Sequence, residues 1–266
     1  MPMIISLMLI SVVILELAYA LEITVFLMLY TPLDLVAAEV YLSTGALAKG
    51  IWVVVSGSLG LAGLQLLLRL EKSRTLIQDK LRKILLWHLV FTIIVLMKYL
   101  FFLYDVYLHI WALLSAGMAF YLILRLGYLL FDANILAWRH PTTSGFVVIS
   151  GFVLAGGVTI MQGEFIEYID AILTGLAALL IIELFILFAR FRFLTHSDQN
   201  MRGIAERLLG THILIFGGFI ISGIFIPLVL IFYSMLVQPV SDHGIAVLVM
   251  VGAVCERYLF FFVTEA

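Results

Sequence analysis

The chain has 266 residues, of which 64% are hydrophobic and 12% are charged, and its mean hydropathy is +1.20. So few polar side chains cannot cover a water-facing surface, which excludes a soluble domain. The formal net charge of −2 gives no indication of a charged partner, and nucleic acid is not expected to bind.

Long apolar runs recur along the whole sequence, each of the length that a helix needs to cross a bilayer. Short alternating segments, which are typical of transmembrane strands, are absent from the sequence pattern. We therefore predict an all-α polytopic membrane protein, a single transmembrane domain over residues 1–266 whose successive helices are mostly antiparallel neighbours. The eight predicted spans are 3–30, 46–69, 84–105, 109–131, 144–162, 169–190, 208–235 and 244–263.

The first span is too long for a cleaved signal peptide and has no basic leader, so it is expected to remain in the protein. Later spans contain small residues at positions that favour close helix packing. These are Gly57, Gly60 and Gly63 in the second span and Gly151, Ala155, Gly156 and Gly157 in the fifth. In the seventh span, Pro227 follows Gly217, Gly218 and Gly223, which predicts a kink.

The connections between spans differ in charge. One set is basic and contains Arg69, Lys72, Arg74, Lys80, Arg82, Lys83, Arg139, Arg190, Arg192, Arg202 and Arg207. The other set has no Lys or Arg and contains Asp34, Glu39, Asp105, Glu164, Glu167, Asp170 and Asp242. The positive-inside rule places the basic set and both termini in the cytoplasm. The basic segment 69–83 could bind anionic lipid, although a topology signal is its expected role.

Ionisable residues inside spans cost several kcal/mol unless they are paired or hydrated. They are Glu16, Glu22, Lys49, Lys98, Glu183, Glu256 and Arg257. Because Glu22, Lys49 and Lys98 all fall in the outer half of their spans, Glu22 is expected to pair with one of the two lysines. The same groups could instead form a proton path or donate to a bound ligand, and both interpretations stay open.

Histidines and cysteine limit the redox centres that the chain could hold. A b-type haem needs two histidines from facing helices at similar depth. His88 with His212, or His109 with His243, could form such a pair, but all four lie at span ends, so interfacial histidines without metal are favoured. The single cysteine, Cys255, excludes a disulfide framework and a cysteine-ligated iron–sulfur cluster within the chain.

The segment VLAGGVTIMQGEFIEYI (153–169) ends an apolar helix in a Gln-Gly-Glu cluster. It resembles the corresponding stretch of the membrane-anchor subunit of bacterial dimethyl sulfoxide reductase. HIWALLSAGMAFYLILRLGYLL (109–130), GAVCERYLFFF (252–262) and YLSTGALAKGIWV (41–53) are similar to parts of that anchor or of the wider NrfD and polysulfide reductase anchor family. Together these pieces cover about a third of the chain, and the carry-over of family residues is limited to Gln162, Gly163 and Glu164.

The sequence contains no nucleotide loop, nucleophile triad or metal-binding cluster, so covalent chemistry on a soluble substrate is not expected of this chain alone. The resemblance implies a haem-free anchor subunit of a respiratory oxidoreductase. It would exchange electrons between membrane quinone or quinol, of unknown type, and an iron–sulfur subunit that serves a molybdopterin-type catalytic subunit. A di-haem cytochrome b anchor is the alternative, and a small transporter ranks last. The expected quinone site combines the motif with polar groups near the outer boundary of the membrane. The alternative is that these polar groups only cap helix ends and bind water. Its residues are Gln162, Gly163, Glu164, Asp105, His109, Lys49 and Lys98, with no metal ligand among them.

Overall fold

The computed structural model describes residues 2–30, 46–70, 75–103, 109–132, 140–162, 169–197, 199–210, 212–237 and 241–262. Within these ranges the chain is helical apart from a few turn residues, and no strand occurs. The helices are α1 (Pro2–Tyr30), α2 (Ala46–Leu70), α3 (Thr75–Leu103), α4 (His109–Asp132), α5 (Thr143–Gln162), α6 (Ile169–His196), α7 (Gln199–Leu209), α8 (Ile213–Gly218), a π-helical segment (Phe219–Phe225), α9 (Ile226–Leu236) and α10 (Asp242–Phe262).

Five helical stretches in the described part are long and apolar enough to cross a membrane: Gln78–Phe101, Ile110–Asp132, Thr143–Met161, Ile169–His196 and Ile213–Leu236. The chain is therefore a multi-pass helical membrane protein, as its composition predicts. A helix is also present at each of the eight predicted span positions.

Helices α1 and α5 form the interior of the bundle. α1 packs against α2, α4, α5 and α10, and α5 packs against α4, α6 and α10. The apolar window of α5 is 61% buried, whereas that of α3 is only 33% buried because α3 packs mainly against α2 and α4. The outer face of α3 carries exposed Leu86, Leu89 and Ile93, which suit contact with lipid.

Glycines set the close approach of these helices, as the sequence predicts. A Cβ added to Gly60 of α2 would lie 2.8 Å from the Leu15 side chain and 2.9 Å from the Ser11 carbonyl oxygen of α1. In α5, a Cβ on Gly151 would lie 3.4 Å from the Glu16 carbonyl oxygen. The prediction of tight packing at these positions is confirmed.

The seventh predicted span departs from regular α geometry directly before Pro227. The π-helical segment Phe219–Phe225 joins α8 to α9, and Pro227 stands in the first turn of α9. Proline has no backbone N–H and its ring crowds the carbonyl four residues earlier, so a wider turn accommodates it. The irregularity expected at this position takes the form of a π-helical stretch.

The crossing between the π-helical segment and α10 offers a test of the packing. A Cβ on Gly223 would lie 2.6 Å from the Gly252 backbone, whereas a Cβ on Gly217 meets nothing within 4 Å. We expect Gly223→Ala to destabilise the protein by about 1–3 kcal/mol through overpacking. Gly217→Ala is the matched control and should be neutral or stabilising by up to about 1 kcal/mol, since alanine favours helix. Thermal unfolding in detergent, followed by circular dichroism, measures both; equal melting temperatures would contradict this crossing.

Two predicted boundaries were wrong. α3 begins at Thr75, nine residues before the predicted position, so Lys80, Arg82 and Lys83 lie on helical turns. α6 continues to His196, so Arg190 belongs to a helix and not to a cytoplasmic loop. Arg190 is buried and its guanidinium lies 4.5 Å from the centroid of the Phe146 ring, a contact between distant residues that charge alone does not predict.

The orientation of the bundle stays a prediction, and cysteine labelling tests it. In a Cys255→Ser background, an impermeant thiol reagent applied to intact cells should label Glu167→Cys, which lies outside the described residues, and should not label Lys80→Cys. Lysed cells should label both positions, while Ser150→Cys in the buried face of α5 serves as the unreactive control. Labelling of Lys80→Cys in intact cells would reverse the orientation.

Candidate functional site

A buried polar network joins three helices near one end of the bundle. Lys98 of α3 forms an ion pair with Glu22 of α1, and Ser115 of α4 donates a hydrogen bond of 2.6 Å to the same carboxylate oxygen, Oε1. The side chains of Lys98 and Glu22 are 8% and 1% exposed. The expected pairing of Glu22 with one of the two outer lysines is confirmed, and the partner is Lys98.

The second carboxylate oxygen of Glu22, Oε2, is buried and has no hydrogen-bond partner among the described residues. A buried acceptor that lacks a donor is costly, so Oε2 is an atom that a water molecule or a ligand donor could satisfy. Beside it, the Lys98 ammonium lies 4.5 Å from the centroid of the Tyr99 ring. The network thus brings a cation, a carboxylate oxygen without a described donor and an aromatic ring close together.

The remaining residues of the predicted site belong to the same end of the bundle or lie outside the described residues. Glycine contacts show that α2 runs antiparallel to both α1 and α3, which brings the start of α2 beside the ends of α1 and α3. His109 begins α4 and Gln162 ends α5, also at this end. Backbone positions place Lys49, His109 and Gln162 here, but their side chains are not described; Asp105, Gly163 and Glu164 lie wholly outside the described ranges.

Three of the histidines considered as haem ligands, His88, His212 and His243, have side chains that the structure describes. His88 is buried, with its Nδ1 atom 3.0 Å from the Tyr19 hydroxyl and its Nε2 atom 3.2 Å from the Ser58 hydroxyl. Both ring nitrogens are therefore engaged in hydrogen bonds within the protein. His212 is half-buried in the turn before α8, His243 is exposed, and α8 packs on the π-helical segment, α7 and α10 and not on α3.

A second buried cluster lies elsewhere in the bundle. Arg257 of α10 donates two hydrogen bonds, of 3.0 and 2.9 Å from Nε and Nη2, to Glu16 Oε2 of α1. Its guanidinium, like that of Arg190, lies 4.5 Å from the Phe146 ring centroid. Glu183 of α6 and Glu256 of α10 are electrostatic neighbours of these groups. The five charged side chains of this inner cluster are Glu16, Glu183, Arg190, Glu256 and Arg257, and all of them are buried.

The inner cluster was only partly visible in the sequence. Four of its members stand out as ionisable residues inside predicted spans, but nothing indicates that α1, α6 and α10 bring them together. Arg190 and Phe146 were missed. The signal that could have found Arg190 is its spacing of seven residues from Glu183, two helical turns along the same face of α6. Within the part of the chain that the structure describes, no group of three His, Cys, Asp or Glu residues is arranged to hold a metal ion.

No family model and no curated protein matches this chain. The resemblance to the anchor subunits therefore depends only on the short motifs quoted above, and residues 163–168 of the main motif lie outside the described residues.

Proposed function

We propose that this chain is an anchor subunit of a respiratory oxidoreductase in the cytoplasmic membrane, with eight spans and both termini inside. It exchanges electrons between membrane quinone or quinol and an iron–sulfur partner subunit, which serves a molybdopterin-type catalytic subunit. The observation that supports this proposal best is the buried Glu22–Lys98–Ser115 network at the end of the bundle where Gln162 ends α5.

The residues present fit a quinone head group. A quinone ring oxygen requires a hydrogen-bond donor, and a quinol hydroxyl requires an acceptor that can take its proton. The Lys98 ammonium is such a donor, and the open Oε2 atom of Glu22 is such an acceptor. A quinone bound there would supply two-electron, two-proton redox chemistry.

Each member of the network has a distinct task in this proposal. Glu22 takes a proton at Oε2, while the hydrogen bond from Ser115 to Oε1 keeps the carboxylate in one orientation. Lys98 donates a hydrogen bond and compensates negative charge, which is effective because the site is buried. Gln162, Glu164 and His109 are the groups that would connect Glu22 with water at the nearby surface.

Aromatic residues at the same end give this region an apolar wall. The rings of Phe101 and Trp111 are stacked, with centroids 5.7 Å apart and planes inclined by 28°. Both residues lie within a turn of the point where α3 ends and α4 begins. An apolar wall beside buried polar groups is the usual construction of a site for a small amphipathic cofactor.

The proposed partners can be tested by purification. Affinity isolation of the tagged chain in mild detergent from its native membrane should recover an iron–sulfur protein and a larger catalytic subunit. A matched tagged membrane protein of similar size is the control for adventitious capture. Isolation of a monomeric enzyme that is catalytically complete from this gene alone would refute the proposal. A reduced-minus-oxidised absorption spectrum is recorded from the same sample. If it contains b-type haem bands, the chain is a cytochrome b anchor and the haem-free proposal is wrong.

A further inference from the structure

The end of the bundle opposite the Glu22–Lys98 network carries a cleft between α3 and α4. The cleft has a volume of about 290 Å³ and is lined by three basic, two aromatic, two apolar and one acidic side chain. Its residues are Lys80, Lys83, Ile84, Trp87, Arg125, Tyr128, Leu129 and Asp132. It lies where α3 begins and α4 ends, at the level at which a span meets the membrane surface.

The charges of the cleft are not balanced. Its lining contains three cations and one anion, a formal net charge of +2. Lys80 is held in an ion pair with Asp132. Lys83 and Arg125 are exposed, and Arg125 is oriented by a 2.9 Å hydrogen bond from its Nε atom to the Tyr121 hydroxyl. The Tyr121 ring also packs edge-on against Trp87. Two cations therefore flank the cleft, one of them fixed in position.

Farther along α3, toward the middle of the span, exposed apolar side chains form a strip on a different face of the helix from the cleft. Along α3 the side chains of Leu86, Leu89, Ile93 and Leu96 are 63%, 60%, 54% and 43% exposed. Trp87 and Tyr128, half-exposed beside the cations, have the amphipathic character of side chains at the membrane interface. Along the α3 axis, the cationic cleft and its aromatic rim are thus followed by helix surface that suits contact with lipid.

We propose that this cleft binds the phosphate head group of an anionic phospholipid, whose acyl chains extend from the cleft into the apolar part of the bilayer beside α3 and α4. Lysine and arginine donate charge-assisted hydrogen bonds to phosphate oxygens, and each such cation near a membrane surface attracts anionic lipid. A free phosphate shares the head-group chemistry but has no acyl chains to extend into the bilayer. The site is separate from the quinone region and does not depend on the proposed function.

Lipid binding to the purified protein tests the proposal. The protein in detergent is titrated with phosphatidylglycerol, with phosphatidylcholine and with inorganic phosphate, and bound lipid is counted by native mass spectrometry. We expect retention of phosphatidylglycerol in preference to phosphatidylcholine. The variant Lys83→Gln/Arg125→Gln should bind phosphatidylglycerol roughly 30-fold more weakly, about fivefold for each removed cation.

A matched control removes the same charge elsewhere. Arg82 and Arg202 are exposed cations that do not line the cleft, so Arg82→Gln/Arg202→Gln should leave binding unchanged. Lys83→Arg retains the charge and should retain affinity. The proposal is overturned if both double variants lose affinity equally, if the two lipids bind equally, or if inorganic phosphate binds as tightly as phosphatidylglycerol. Gel filtration of each variant confirms that the protein remains folded and monodisperse before binding is scored.

Discussion

Arg257→Gln is expected to destabilise the protein by about 3–5 kcal/mol, the usual effect of removing one partner from a buried ion pair. The two hydrogen bonds from Arg257 to Glu16 disappear, and Glu16 stays fully buried without its cation. The loss should lie toward the upper end of this range because Arg257 also neighbours Glu183 and Glu256.

The formal charge of the inner cluster predicts that Arg257 and Glu16 contribute unequally to stability. With all groups ionised, the inner cluster contains three carboxylates and two guanidinium groups, a formal charge of −1. Arg257→Gln makes this charge −2, whereas Glu16→Gln makes it zero. Because an uncompensated buried charge is the costly element, Glu16→Gln should destabilise the protein clearly less than Arg257→Gln.

Unfolding in mixed micelles at increasing concentrations of a denaturing detergent, followed by circular dichroism, ranks the stabilities of the two variants. The control is Lys80→Gln, which breaks the half-exposed ion pair with Asp132 and should cost at most about 1 kcal/mol. Equal destabilisation by Arg257→Gln and Glu16→Gln would show that hydrogen bonding, and not net charge, governs the cluster. A loss as small as that of Lys80→Gln would contradict the buried arrangement itself.

Glu22→Gln is expected to reduce quinol-dependent turnover by on the order of 10²-fold, since removal of a positioned proton acceptor typically has effects of this size. The amide keeps the shape of the side chain and can still accept the Ser115 hydrogen bond, but it cannot take a proton at Oε2. Electron transfer from an artificial donor directly to the associated catalytic subunit should be unchanged. Ser115→Ala removes only the orienting hydrogen bond and should have a smaller effect.

The motif residues are tested in the same assay. Gln162→Leu and Glu164→Leu should impair quinol-dependent turnover while the artificial donor remains effective. All variants are compared in fully assembled complexes, so that loss of assembly is not mistaken for loss of the site. Unchanged quinol kinetics in Glu22→Gln would remove the network from the proposal, and unchanged kinetics in both motif variants would remove the family resemblance as a guide.

Local composition was sufficient to predict the class of fold. Long apolar runs determine membrane-spanning helices because unsatisfied backbone groups are not tolerated in lipid, and this holds whatever the helices pack against. The glycines of α2 and α5 also predicted close packing, since the absence of a side chain is a local property. Helix ends were less predictable: α3 and α6 extend beyond their apolar runs because charged residues such as Lys80 and Arg190 are accommodated by partners on other helices.

The candidate sites could be predicted from the sequence less completely than the fold class, because they depend on contacts between helices. The sequence indicated that Glu22 needs a cation, but it did not distinguish Lys49 from Lys98 as the partner. The packing of α1, α3 and α4 places Lys98 against Glu22. In the same way, only the convergence of α1, α6 and α10 around Phe146 brings the inner cluster together. A residue's own helix determines its depth and face, whereas its partners are set by contacts between segments up to 241 residues apart, as for Glu16 and Arg257.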